Sequence, residues 1–118
     1  MTSYLNWLEK CVEEKLAADS IGRPVFVRLV LALTTDHGLL DQGLQRAVAM
    51  ADRWLGSKSQ RMERMGGARE GYVSALAEYH DGQTALLAAE VFRTEPEARV
   101  LIVGQRGTLR FDDFPGVG

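Results

Sequence analysis

Apolar residues recur along this chain with two different periods, and the switch between them outlines a fold. Over residues 3–18, Leu5, Leu8, Val12 and Leu16 fall on one face at helical spacing, with Trp7 and Cys11 beside them. This predicts a helix, with Thr2 or Ser3 able to cap its start. Gly22 and Pro24 end that segment and set the next one extended. From Pro24 to Thr34 the period becomes two: Val25, Val27, Leu29, Leu31 and Leu33 share one face. Phe26, Val30 and Ala32 make the other face largely apolar as well. A strand apolar on both sides is normally covered on both sides. One cover is expected from helices of this chain and the other from a second subunit, because a bare apolar sheet invites aggregation.

Helical spacing returns over residues 39–55, where Leu40, Leu44, Ala47, Val48, Ala51 and Leu55 form a stripe. Gly56 suits the position just past a helix end. Gly43, inside the helix, costs about 1 kcal/mol relative to Ala and points to close approach of another group. Residues 58–65 read as a weak strand and Gly66–Gly71 as a loop. Tyr72–Tyr79 and Thr84–Phe92 read as strands joined at Asp81-Gly82. The Ala85–Ala89 run is compatible with helix, and the adjoining turn decides for strand. Thr94–Ala98, which holds Pro96, reads as a loop. Val100–Val103 and Thr108–Asp112 close the sheet, and Phe114–Gly118 reads as an irregular tail. The order predicts one α+β domain over residues 1–118: a mostly antiparallel open sheet with helices packed on one face.

Composition narrows the function classes. With 118 residues and 46% hydrophobic content the chain can bury a core without staples. Fourteen basic side chains are scattered among sixteen acidic ones, which argues against nucleic acid as a partner. No apolar run reaches the length of a membrane span, and residues 1–16 mix charge into their apolar positions, unlike a signal peptide. Cys11 is alone, which is consistent with a reducing compartment, and a cytoplasmic protein is the expectation. Cys11 reads as a core residue on an apolar helix, and two His and one Cys give no metal-site spacing.

Four local motifs, in order, carry a resemblance. They are Ser20-Ile21-Gly22-Arg23-Pro24-Val25-Phe26-Val27-Arg28, Trp54-Leu55-Gly56, Tyr79-His80-Asp81-Gly82-Gln83-Thr84-Ala85, and Gly104-Gln105-Arg106-Gly107-Thr108-Leu109. The chain resembles the C-terminal substrate domain of the glucose–fructose oxidoreductase / inositol dehydrogenase / MocA family, over nearly its whole length. These are fold motifs, and a fold does not fix a function.

The resemblance implies a sheet-mediated homo-oligomer and a sugar or cyclitol-like ligand. The family often carries Asp-x-Gly-x-His at the start of the second helix, where the pair can orient and deprotonate a hydroxyl. Here the segment reads Asp41-Gln42-Gly43-Leu44-Gln45: Asp41 and Gly43 match, and Gln45 replaces the His. An amide can hydrogen-bond a hydroxyl but cannot take its proton. The family's dinucleotide-binding domain and catalytic Lys have no counterpart here, and no Gly-x-Gly-x-x-Gly occurs. The isolated chain is therefore expected to hold no cofactor, with NAD(P) entering only through a separate dinucleotide-binding chain.

Candidate site residues each have two readings. Asp36 and His37 are either a helix cap with a surface His, or lie at the pocket mouth, where His37 stands in for the missing base. Asp41 and Gln45, one turn apart, are either solvated or line the cleft. Arg28 either pairs or snorkels at the sheet, or binds an anionic ligand. His80 reads as surface, and Trp7 and Trp54 read as packing residues rather than a sugar platform. Three functions follow: a stand-alone binding and assembly domain, the substrate half of a split oxidoreductase, or a cofactor-free enzyme using His37 and Asp41 for proton transfer.

Overall fold

The computed structural model describes residues 2–18, 21–92 and 94–113, and the side chains of all of these but Thr2, Ser3, Ala68, Asp112 and Asp113. The expected capping side chains of Thr2 and Ser3, and the expected tail Phe114–Gly118, lie outside what is described. The order is helix α1 (Thr2–Ala17), strand β1 (Pro24–Thr34), a 3-10 turn at His37–Leu39, helix α2 (Leu40–Leu55), β2 (Ser59–Gly67), a 3-10 turn at Ala68–Glu70, then β3 (Tyr72–Tyr79), β4 (Thr84–Val91), β5 (Glu97–Gly104) and β6 (Thr108–Asp113). The fold is α+β. Six strands form one sheet in the order β2-β3-β4-β1-β5-β6. Four of the five pairings are antiparallel. The exception is β1 with β4, which run parallel with Leu29 opposite Leu87.

Side-chain alternation decides which face carries the helices. Val27, Leu29, Leu31 and Leu33 of β1 join Val73, Ala75 and Ala77 of β3 in one core beneath α1 and α2. From α1, Leu5, Leu8 and Val12 reach that core. From α2 come the expected stripe residues and, in addition, Met50 and Trp54. The sheet under α2 is rich in alanine, so the helix lies low on it. A Cβ added at Gly43 would stand 3.2 Å from the Cβ of Ala89, which is the close approach that its lack of a side chain permits. The C-terminus of α2 closes with Gly56 in the left-handed region at φ +70°; its N–H donates to the Arg53 carbonyl and that of Ser57 to the Asp52 carbonyl.

The layers number two, and the 18 Å short dimension of the molecule fits that count. The outer face of β1 is not bare even in the single chain: Val30 and Ala32 are buried, Phe26 is half-buried and Arg28 is exposed. Three sequence expectations need correction. β2 runs on through Gly66 and Gly67, and Ala68–Glu70 is a 3-10 turn rather than open loop. β5 begins at Glu97, directly after Pro96. Cys11, expected in the core, is only half-buried; Trp7 is 48% exposed and acts as a packing residue at the surface, its ring edge-on against Phe111 and tilted against Tyr4.

Candidate functional site

Two ends of β1 divide the molecule's architecture from its candidate chemistry. At the first end, all four sequence motifs meet. The Ile21 and Arg23 carbonyls accept hydrogen bonds from the N–H groups of Arg106 (2.8 Å) and Gln105 (3.0 Å). The Asp81-Gly82 turn sits alongside, with Asp81 paired to Arg23 at 2.6 Å. Gln83, almost fully buried, donates from Nε2 to the Pro24 carbonyl (2.8 Å) and to the Leu55 carbonyl (3.2 Å). One amide thus joins the start of β1, the end of α2 and the β3–β4 hairpin. These motifs build a corner of the fold, and the candidate ligand site lies elsewhere.

At the other end of β1, a groove of about 480 Å³ opens between α1, α2 and the strand ends. Its floor is apolar: Leu5, Leu31, Leu33 and Leu40. Its polar groups are Thr34, Gln42, Gln45, Arg46 and Glu90, and Gly43, close against Ala89, lines it too. Both the volume and the mix suit a small ligand with an apolar face and hydroxyls at its edge. Arg46 is already engaged: it donates to Glu9 Oε1 (Nε at 3.1 Å, Nη2 at 2.9 Å) and to Asn6 Oδ1 (2.7 Å). Glu9, buried between the helices, also receives Arg53 at 2.9 Å. This charge cluster fixes α1 against α2 and so holds Leu5 at the groove floor. Gln45 has both amide donors and an acceptor to offer a hydroxylated ligand.

The five sequence candidates do not converge. Gln45 lines the groove. Asp36 caps the 3-10 turn, accepting the Gly38 N–H at 2.8 Å, while its own N–H donates to Thr34 Oγ1 at 3.0 Å. The His37 ring stands beside Gly71, where an added Cβ would lie 3.4 Å from it, so it packs toward the turn before β3. Asp41 turns to β2 and is ion-paired with Arg64. Arg28 stands on the opposite face of the sheet, opposite Leu86 and Leu101 in register. Sequence reasoning passed over Thr34, Gln42, Arg46 and Glu90. A signal existed for part of this set, since Gln42, Gln45, Arg46 and Ala49 continue one helical face beside the apolar stripe.

At the far end of α2, the Tyr79 hydroxyl donates to Asp52 Oδ1 at 2.6 Å. Burial, then that hydrogen bond and the charge of the carboxylate, hold the phenol well above its ordinary range. Among the described residues no cluster of three or more His, Cys, Asp or Glu could hold a metal ion, and no helix is long and apolar enough to cross a membrane.

No family model matches the chain, and no curated protein does. Solved structures do. A probable dehydrogenase from Thermotoga maritima superposes with a TM-score of 0.78 at 12% identity, over 92% of this chain and 39% of its own. Myo-inositol dehydrogenase from Lactobacillus casei, in complex with NAD(H) and myo-inositol, gives 0.73 at 15% identity over 93% and 36%. UDP-N-acetylglucosamine 3-dehydrogenase from Acidithiobacillus ferrooxidans gives 0.67 at 18% identity over 84% and 36%. The chain therefore spans less than half the length of each of these dehydrogenases. It has the fold of the C-terminal domain of the glucose–fructose oxidoreductase / inositol dehydrogenase / MocA type.

Proposed function

We propose that this chain is a stand-alone binding and assembly domain. It takes a small polyol, sugar or cyclitol-like, into the groove beneath Gln45, pairs with a second copy through its open sheet face, and does not transfer hydride on its own. The observation that carries the reading is the groove itself, with its apolar floor, few polar groups and Gln45 placed to hydrogen-bond a hydroxyl. Similarity to inositol dehydrogenases supports the ligand class. With Asp41 engaged by Arg64 and His37 packed toward Gly71, the reading gives neither residue a proton-transfer step.

The test is an NMR titration with myo-inositol and with glucose. The expected result is shift changes at Thr34, Gln45 and Ala49 with a Kd on the order of 1 mM, weakened about fivefold in Gln45→Ala by the loss of about 1 kcal/mol. An unchanged spectrum at saturating polyol, or shifts confined to residues outside the groove, overturns the ligand assignment.

A second reading is favoured by the 36–39% coverage of the dehydrogenases above: this chain is the substrate half of a split oxidoreductase. A separate dinucleotide-binding chain would then cover the groove and bring NAD(P). Native mass spectrometry of the protein from its own cells distinguishes the two readings. A complex with a nucleotide-binding chain supports the split enzyme, and a homodimer alone supports the stand-alone domain.

A further inference from the structure

The acidic side chains around the groove are each held by an arginine, and one of those arginines has donors to spare. Asp41 pairs with Arg64. Glu90 reaches the rim from β4, but its parity is opposite to that of buried Ala89, and its carboxylate meets Arg99 at 3.5 Å. Glu9 is buried, and its single carboxylate is shared between Arg46 and Arg53, each at 2.9 Å. Arg53 has a second carboxylate in Glu13, at 3.2 Å. Arg46, which lines the groove, has no second carboxylate among the described side chains. Its Nε and Nη2 serve Glu9 and Asn6, and Nη1 takes part in none of these bonds. With 30% of the side chain accessible, Nη1 remains open to a ligand. Helix α2 adds charge of the same sign. Leu39 gives its N-terminus no side-chain cap, and Gln42 and Gly43 of its first turn line the groove, so the positive end of the helix dipole lies at the ligand space.

We propose that this groove selects an acidic polyol, a sugar or cyclitol that carries one carboxylate, with the carboxylate bound by Arg46 and the hydroxyls by Gln45. The inference rests on the polyol reading above and adds the ligand's charge. One buried carboxylate divided between two arginines leaves excess positive charge on the groove side, and an anion there supplies the counter-charge. A carboxylate oxygen accepts an N–H of Nη1 as a charge-assisted bond, about twice as strong as a bond to a neutral hydroxyl. A ligand ammonium would meet charge of its own sign. A phosphate monoester brings more charge and more acceptor oxygens than one guanidinium satisfies, and the remaining oxygens would be pressed toward the leucine floor without partners. The arginine is also held in place beforehand: Glu9 and Asn6 fix its guanidinium, so binding costs little side-chain freedom.

NMR titrations of the wild type and of Arg46→Gln with glucuronate, glucuronamide and glucose at neutral pH and low salt test this. Glucuronate and its amide have nearly the same shape and differ in charge. In the wild type the expected result is glucuronate bound about tenfold more tightly than either neutral ligand, with the Arg46 Nε–H resonance moving on its addition. That preference should shrink to about threefold in roughly 0.5 M sodium chloride, where the Debye length is only a few ångströms. In Arg46→Gln, with folding checked by circular dichroism, the preference should fall to within about twofold. Should that variant not fold, the Arg46 resonance and the salt series in the wild type decide the matter. Equal binding of all three ligands by the wild type overturns the acid assignment and leaves the polyol reading standing. Binding of none defeats the polyol reading itself, and this inference with it. A glucuronate preference that persists in folded Arg46→Gln, or that arises with no shift at Arg46, puts the carboxylate elsewhere and overturns the inference.

Discussion

Gly104 shows how tightly a single position can be specified. A Cβ there would fall on the Ile21 carbonyl oxygen, backbone against backbone, with no side chain able to swing away. Gly104→Ala is expected to lower stability by about 2–3 kcal/mol, the range for overpacking, as a fall in the urea midpoint at unchanged slope. Tyr79 carries a different kind of dependence. Its folded-state pKa is raised above the unfolded value near 10, so its contribution is fully present below about pH 10 and is lost as pH climbs through the folded value. Tyr79→Phe is expected to cost about 1 kcal/mol at pH 7, where the hydrogen bond to Asp52 is intact. Above pH 10 the two melting curves should converge, and a constant offset up to pH 12 would sink the assignment.

The cluster of Glu9, Arg46 and Arg53 joins two elements that share few other polar contacts. Glu9→Ala leaves two guanidinium groups without their shared carboxylate; Arg53 is largely exposed and recovers water, while Arg46 is largely buried. A loss of about 2 kcal/mol is expected in chemical denaturation, together with weaker polyol binding as Leu5 loses its position. Elements were also where the sequence was most legible. Doubly apolar β1 and the Asp81-Gly82 hairpin announced their own limits. Gly66 hid the end of β2, because a glycine reads as a breaker. In the structure its φ of +79° lets the strand bend past Tyr72, whose ring would sit 2.6 Å from a Cβ there. The parallel β1–β4 pairing was invisible, since a period of two reports burial and not partner. For the site, Gln45 came from the resemblance, as the residue in the place of the family's His, and it lines the groove while Asp41, one turn before it, faces Arg64. Arg28 was misplaced even though its parity, opposite to Val27 and Leu29, put it on the outer face.

At the scale of the whole molecule, protection from exchange should follow strand order. β1 has neighbours on both sides and lies beneath the helices; its amides should open only with global unfolding. β2 is an edge strand whose residues are mostly exposed, and its outward amides should exchange far faster. Hydrogen exchange that protects β2 as strongly as β1 in the monomer would contradict this topology.

The place of β1 between β4 and β5 also bears on how the chain leaves the ribosome. The central strand is synthesised first, yet the strands that flank it begin at Thr84 and Glu97, long after Thr34. Through that interval its leucines and valines have no sheet to join, only the nascent helices. The hazard for this protein therefore lies in translation rather than in the finished fold, and β1 is the segment a chaperone that binds nascent chains would meet.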